Sequence, residues 1–256
     1  MTENKKMDME ELLKKYDTAK LEDNMSLLGI KLEKRQVCQF FKYYELLSHW
    51  NSFMNLTTIT EFDEVVTKHF IDSVSLIKAV PDLPLISDSI IDVGTGAGFP
   101  GIPLKIVFPD LKITLLDSLN KRVQFLNEVV NALELSNITV IHGRAEDYAK
   151  PGKLRESFDF CVSRAVANLS TLSEYCIPFV KKDGYFISYK SEKITEEFDA
   201  AKGAIKILGG KYENQVEFYL PGSDIYRNLF VIKKVNSTPL KFPRKAGIPS
   251  KEPIIK

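Results

Sequence analysis

The residues best suited to chemistry cluster in Ile90-Ile-Asp-Val-Gly-Thr-Gly-Ala-Gly-Phe-Pro-Gly101, where an apolar run passes through Asp92 into glycines at 94, 96, 98 and 101. Glycines so placed let backbone N–H groups approach a ligand with no Cβ in the way, at the carboxyl edge of a parallel strand. Residues 96–101 also satisfy GxGxxG, so a nicotinamide or flavin site stands beside an S-adenosylmethionine site, and a plain strand–helix turn beside both. Asp117 ends the next apolar run, Ile113-Thr-Leu-Leu-Asp117, where a carboxylate can accept both ribose hydroxyls of an adenosine. Dinucleotide and methyl-donor sites share that acid. Three features favour the methyl donor. Asp92 lies inside the strand before the first glycine, within reach of the donor's ammonium through water or the loop. Pro100 and Pro103 make the following helix a less regular seat for a pyrophosphate. Gly143-Arg-Ala-Glu146-Asp147 follows the third strand, where an acid could hydrogen-bond an adenine amino group; Asp147 reads better as a cap or surface acid.

Further along, Arg164 follows the fourth expected strand, beside the place where a methyl would be presented. It either orients a base or phosphate or forms a salt bridge to Asp117 or Glu146. Lys190 ends strand five on the same rim and is a phosphate-contact candidate. Lys121 and Arg122 open a helix whose dipole opposes cations, a placement that a phosphate ligand would explain. Two features read better as packing than as ligand contacts: the pair His69 and Asp72 on one helix face, and the aromatics Tyr43, Tyr44 and Trp50. Cys161 and Cys176 read as core residues.

These side chains need a scaffold. Strands are expected at Ile90–Val93, Ile113–Asp117, Ile138–His142, Phe158–Ser163, Tyr185–Lys190, Gln215–Leu220 and Asn228–Lys234, with helices between the first five, among them Lys121–Leu135 and Leu169–Val180. That alternation predicts an α/β, Rossmann-like, doubly wound sheet of seven mostly parallel strands. The short connection Pro221-Gly222-Ser223-Asp224 predicts an antiparallel hairpin at the end of the chain. Upstream, Val37, Phe40, Phe41, Tyr44, Leu47, Trp50 and Phe53 recur at threes and fours, an amphipathic helix with an aromatic face. A second helix is expected over Glu61–Val80, with Thr60 as N-cap. Residues 1 to about 30 are dense in charge and read as a solvated, partly frayed helical lead. The organisation expected is a helical extension over 1–85, a core over 86–235 and a tail over 236–256. The tail carries four prolines and five basic residues against one acid; it is either a solvated end or an arm along a phosphate backbone.

The 256 residues are 44% hydrophobic, with 35 Lys+Arg against 34 Asp+Glu for a net charge of +1, which excludes pervasive disorder. Apolar runs such as Ile86–Val93 fall far short of the roughly 20 residues a spanning helix needs. Near-neutrality means that any nucleic-acid contact must rest on local charge. Three cysteines without CxxC spacing, scattered histidines and a start lacking a signal-peptide apolar core predict a cytoplasmic protein with no disulfide framework, metal or membrane partner.

The segments Trp50-Asn51, Asn55-Leu-Thr57, Lys68-His-Phe-Ile-Asp-Ser73, Asp92 through Leu104, Leu116-Asp-Ser-Leu-Asn-Lys-Arg122, Arg144-Ala-Glu146, Ser163-Arg-Ala165 and Lys190 together resemble the small-subunit ribosomal RNA methyltransferase G family, also called glucose-inhibited division protein B. The resemblance runs from about residue 30 to the C-terminus. It implies the class I S-adenosylmethionine-dependent methyltransferase fold and a monomer. It also implies methyl transfer to N7 of one guanine in the decoding-region loop of 16S rRNA, with the RNA or the 30S subunit as partner. The donor site implied comprises Gly94 and Phe99, Asp117, Ala145 and Glu146, and Arg164; Asp92, Gly96, Gly98 and Ser118 are further cofactor-binding candidates, and Arg164, Lys190 and Arg122 are candidates for positioning the RNA. The residues agree by what is missing: no (D/N/S)-P-P-(Y/F) motif follows strand four, as amine methylation usually needs, and no Pro-Cys nucleophile as C5 methylation needs. Guanine N7 has an exposed lone pair, so its methylation needs orientation more than a base. The rival readings are a NAD(P)-dependent Rossmann oxidoreductase and a non-catalytic RNA-binding assembly factor.

Overall fold

The computed structural model describes residues 9–85, 88–164, 167–192 and 194–255. The first eight residues of the expected lead, Ile86 and Ser87 of the apolar run, and Ala165 of the Ser-Arg-Ala segment lie outside the described residues. Seven strands form one sheet: β1 (Ser89–Val93), β2 (Lys112–Asp117), β3 (Ile138–His142), β4 (Phe158–Ser163), β5 (Val180–Lys190), β6 (Gly210–Tyr219) and β7 (Tyr226–Lys234), in the order β3-β2-β1-β4-β5-β7-β6. The first five are mutually parallel, while β7 runs antiparallel to β5 and β6 to β7. The hairpin turn is closed by Leu220 N–H donating to the Ile225 carbonyl at 2.9 Å.

Helices α1 (Met9–Lys15), α2 (Ala19–Leu27) and α3 (Lys34–Met54) precede the sheet; α6 (Gly101–Val107), α7 (Asn120–Ala132), α8 (Ala145–Tyr148), α9 (Leu169–Cys176) and α10 (Thr195–Ile207) connect its strands. Side chains along the strands alternate between the two faces, and both faces are buried. Ile90, Leu115, Val162, Ile187 and Leu229 join Phe40, Tyr43, Phe70, Leu104 and Phe125 in one core. Their neighbours Ile91, Leu116, Cys161, Phe186 and Phe230 join Leu169, Leu172, Cys176, Ala201 and Ile205 in the other. Both strand cysteine and helix cysteine are thus core residues.

Helix α3 opens on a capping box, with Glu33 N–H donating to Gln36 Oε1 at 2.8 Å, and ends at Asn55 in the left-handed region. Of its aromatic face, Phe40, Phe41 and Tyr43 are buried, Tyr44 and Trp50 are half-buried, and Phe53 near the helix end is 60% exposed. The next helical run differs from expectation. Glu61, without a side-chain bond, stands at its N-cap in place of Thr60, and the run is divided into α4 (Phe62–Val65), a π segment (Val66–Ile71), α5 (Asp72–Val74) and a 3₁₀ turn (Ser75–Lys78). A π segment holds an extra residue in its turn and rotates the residues after it around the helix axis.

The tail also departs from both readings of it. Arg155 donates to the carbonyls of Ala149, Thr238, Pro239 and Phe242; Arg244 forks onto buried Glu174, with contacts of 2.7–3.1 Å; and Phe242 is buried among the residues of the second core. Of the basic residues in this proline-rich segment, Arg244 has its partner on the body, and the segment ends in α11 (Ile248–Lys251) packed against α9.

Candidate active site

The glycine loop is tied down by the acids around it. Gly94 and Thr95 donate their N–H groups to the Leu116 carbonyl, which fixes the loop to the end of β2. Asp117 Oδ2 accepts Gly96 N–H at 2.9 Å and its Oδ1 accepts Leu119 N–H at 2.9 Å. Oδ1 still has a lone pair for a further donor. Arg122 turns back toward the same Oδ2 at 3.5 Å, so a carboxylate already offsets its awkward place in the first turn of α7. Asp92 sits beneath the loop, fully buried, and its Oδ2 accepts both Gly101 N–H at 2.9 Å and the Thr95 hydroxyl at 2.7 Å. Its Oδ1 is buried with no partner among the described residues. Asp92 therefore supports the loop from the core side instead of reaching into the crevice. Burial, only partly offset by Thr95, Gly101 and Arg164, pushes its carboxyl up to about 7.

The four glycines divide by role. Gly96, at φ +62°, has nothing within 4 Å of where a Cβ would stand. It leaves open space that a side chain would fill. Gly98 faces inward: a Cβ there would lie 2.5 Å from Ile102 Cδ1 and 2.8 Å from Tyr43 Oη, and one at Gly101 would lie 2.3 Å from Leu115. These two are glycines because the chain packs too closely for anything else. The Tyr43 hydroxyl donates to the Ala97 carbonyl, so α3 grips the loop directly.

Two neighbouring cavities open at the carboxyl edge of the sheet. The smaller, about 180 Å³, is lined by Gly94, Ser118, Ala145, Glu146, Leu172 and Tyr175 among others. Glu146 Oε1 accepts Gly247 N–H at 2.9 Å, and its Oε2 has no partner among the described residues. The larger cavity, about 760 Å³, takes Arg164, Lys190, Lys68, His69, Asp72 and Arg227 into its wall. Ala167 lines both. Asp117, Gly96 and Phe99 lie around the loop between them.

Arg164 finds neither of the acids expected of it. Its Nη1 donates to Asp72 Oδ2 at 2.9 Å and to the Lys68 carbonyl at 3.0 Å, and its Nη2 to His69 Nδ1 at 3.1 Å. The guanidinium lies 5.0 Å above the Phe99 ring, on which His69 also stacks at 4.5 Å. The carbonyl and the imidazole both come from the π segment, and Asp72 directly follows it. Arginine has no acceptor, so His69 Nδ1 carries the lone pair and Nε2–H donates to Thr57 Oγ1 at 2.9 Å. Burial and the Arg164 charge push His69 down to about 3, so this imidazole stays neutral. Asp72 Oδ1 accepts Arg227 Nε at 2.9 Å. His69, Asp72 and Arg227 line the larger cavity around Arg164 and are absent from the residues expected at the site; the pair His69 and Asp72 reads from sequence as packing, and the segment Lys68-His-Phe-Ile-Asp-Ser73 that holds it entered only through the family resemblance. Lys190 donates to Glu197 Oε1 at 2.7 Å and to the Ala167 carbonyl at 3.1 Å. Trp50 donates to Glu128 at 3.1 Å on the helical side, away from both cavities.

The donor set fits an adenosine-bearing ligand. Asp117 has spare acceptor capacity beside the open face of Gly96, and Glu146 lines the smaller cavity with Gly94, Ser118 and Ala145. Comparison with known proteins agrees. The family model described as rRNA small subunit methyltransferase G matches residues 36–225. Ribosomal RNA small subunit methyltransferase G of Lachnoclostridium phytofermentans is 57% identical over 229 residues, covering 90% of this chain and 94% of that protein. Its counterpart in Lactococcus lactis is 50% identical over 227 residues, covering 88% and 94%. Among solved structures, an S-adenosylmethionine-dependent methyltransferase from Aquifex aeolicus shares the fold with a TM-score of 0.50 at 19% identity, over 71% of this chain and 97% of that one. The chain belongs to the rRNA small subunit methyltransferase G family, and is an S-adenosylmethionine-dependent methyltransferase of ribosomal RNA.

Proposed function

We propose that the protein methylates N7 of one guanine in the decoding-region loop of 16S rRNA, with the donor held between the glycine loop and α8 and the base admitted to the larger cavity. When bound, S-adenosylmethionine supplies a methyl group made electrophilic by its sulfonium. Asp117 would accept the ribose hydroxyls, Ser118 and Ala145 would wall the adenine, and Glu146 Oε2 would accept its amino group. Gly94 and Gly96 offer backbone without side chains at the crevice. Asp92, Gly98 and Phe99 act one layer down, by holding the loop's shape.

The observation that carries the proposal is Arg164, fixed by four partners in the wall of the larger cavity. A guanidinium held there is preorganised for the O6 atom of a guanine or for a phosphate, and immobilising it in advance removes the entropy of ordering it during reaction. Transfer to N7 forms one C–N bond as one C–S bond breaks and removes no proton from the base. The chemistry of the site suits this, since both nitrogens of His69 are already engaged and its basicity is suppressed. Lys190, held by Glu197, and Arg227, held by Asp72, would meet the RNA backbone.

The test is transfer of labelled methyl from the donor into 30S subunits and into naked 16S rRNA, followed by mapping of the modified nucleotide. Label confined to N7 of one guanine supports the reading; absence of label in both substrates, or label on an exocyclic amine, overturns it.

A further inference from the structure

The segment after β7 does more than cover the body. Its root and its tip both grip α8, the four-residue helix that carries Ala145 and Glu146. At the root, Arg155 joins the Ala149 carbonyl, just past the end of α8, to the carbonyls of Thr238, Pro239 and Phe242. At the tip, Gly247 N–H donates to Glu146 Oε1 at 2.9 Å, while the Thr171 hydroxyl donates to the Pro249 carbonyl at 3.1 Å. Ser250 Oγ donates back to the Gly247 carbonyl at 3.1 Å, closing the turn at the tip beside Glu146, which lines the smaller cavity together with Tyr175. Between root and tip, Arg244 is clamped on buried Glu174, so the tip cannot swing away without breaking an ion pair with a desolvated partner.

We propose that this C-terminal strap is a positioning element of the donor site: by occupying Glu146 Oε1 it orients the carboxylate so that Oε2 alone faces the cavity, ready for the exocyclic amine of an adenine. The inference rests on the reading of Glu146 as the adenine acceptor. It makes the affinity for the nucleoside depend on residues that never touch it. Gly247 is suited to the task because it sits at φ +84°, where side-chain-bearing residues are strained. By reciprocity, nucleoside binding tightens the strap.

Calorimetry with S-adenosylhomocysteine separates the claims. Glu146→Ala, removal of residues 247–256, and full-length Gly247→Pro, which lacks the N–H, should each raise Kd about tenfold, the order of one hydrogen bond to a charged group. Removing 247–256 from the Glu146→Ala background should add almost nothing, because both changes erase the same contact. Losses that multiply, or strap variants that bind like the parent while Glu146→Ala does not, overturn the strap's role and leave the adenine reading standing. Unchanged binding by Glu146→Ala sinks the adenine reading and the strap with it. On the unaltered chain, S-adenosylhomocysteine should slow tryptic cleavage after Lys245 and Lys251; equal rates with and without it count against the proposal even if a strap variant fails to fold.

Discussion

Arg164 owes its fixity to partners between 92 and 96 residues away in the chain. Arg164→Lys keeps the charge and loses the fork, so it should lower kcat for RNA methylation about tenfold or more while leaving donor affinity within a factor of about three. A matching loss of donor affinity in calorimetry would place Arg164 in the donor site alone. Asp117→Ala should do the reverse, weakening donor binding by about 1–3 kcal/mol, since a charged acceptor is lost; an unchanged Kd would move the ribose elsewhere. Asp92 and His69 give opposite pH signatures. The Asp92 carboxyl, raised to about 7, takes up a proton on folding, so it favours the folded state below the ordinary carboxylate range and loses that contribution as pH climbs to about 7. His69, lowered to about 3, disfavours the folded state increasingly as pH falls from its ordinary 6.5. Asp92→Asn retains the acceptor for Gly101 and Thr95 without the buried charge. Its melting temperature should lie close to the parent's near pH 5 and exceed it near pH 8; parallel melting curves across that range would show that the carboxyl titrates elsewhere.

At the scale of elements, the glycine loop is held by three of them: β2 through Leu116 and Asp117, β1 through Asp92, and α3 through Tyr43. Tyr43→Phe removes only a hydroxyl that donates to the Ala97 carbonyl. It should cost about 1 kcal/mol of stability and raise the donor Kd several-fold with the KM for RNA unchanged, as thermal melts and calorimetry would report. A donor Kd equal to the parent's would mean that α3 merely shelters the loop. The loop was legible in the sequence because its signal is local: an apolar strand, glycines at fixed offsets, and an acid at the end of the following strand. What each glycine is for was not, because Gly98 and Gly101 are dictated by Tyr43, Ile102 and Leu115 closing on them in three dimensions. The π segment was illegible for a related reason. Apolar spacing marks the helix, but the extra residue in its turn is stabilised by Arg164 donating to the Lys68 carbonyl, a contact made only after β4 is in place.

Across the molecule, the near balance of charges means that on the proposed reading RNA attraction rests on a few cations in the wall of the larger cavity, matched with acids: Arg164 and Arg227 with Asp72, Lys190 with Glu197. The KM for RNA should accordingly rise with salt at a shallow logarithmic slope, and Lys190→Ala should reduce that slope by about one. An unaltered slope would remove Lys190 from the phosphate contacts. The mostly parallel sheet followed from alternating strand and helix patterns and the hairpin from its short turn, whereas the strand order and the docking of the tail did not. Nothing in a stretch of prolines and lysines announces that Arg244 will be matched by Glu174, 70 residues earlier. Pairing over that distance has no periodicity to betray it.

The Phe99 ring, against which both His69 and the Arg164 guanidinium rest, belongs to the loop that on the proposed reading cups the nucleoside, while Arg164 on that reading faces the ribosomal strand. Grip on one ligand is therefore felt by the other through a single aromatic plate, and with equal strength in each direction. An enzyme emptied of its nucleoside should release RNA at a different rate from a charged one, with no lid or moving domain needed to carry the message.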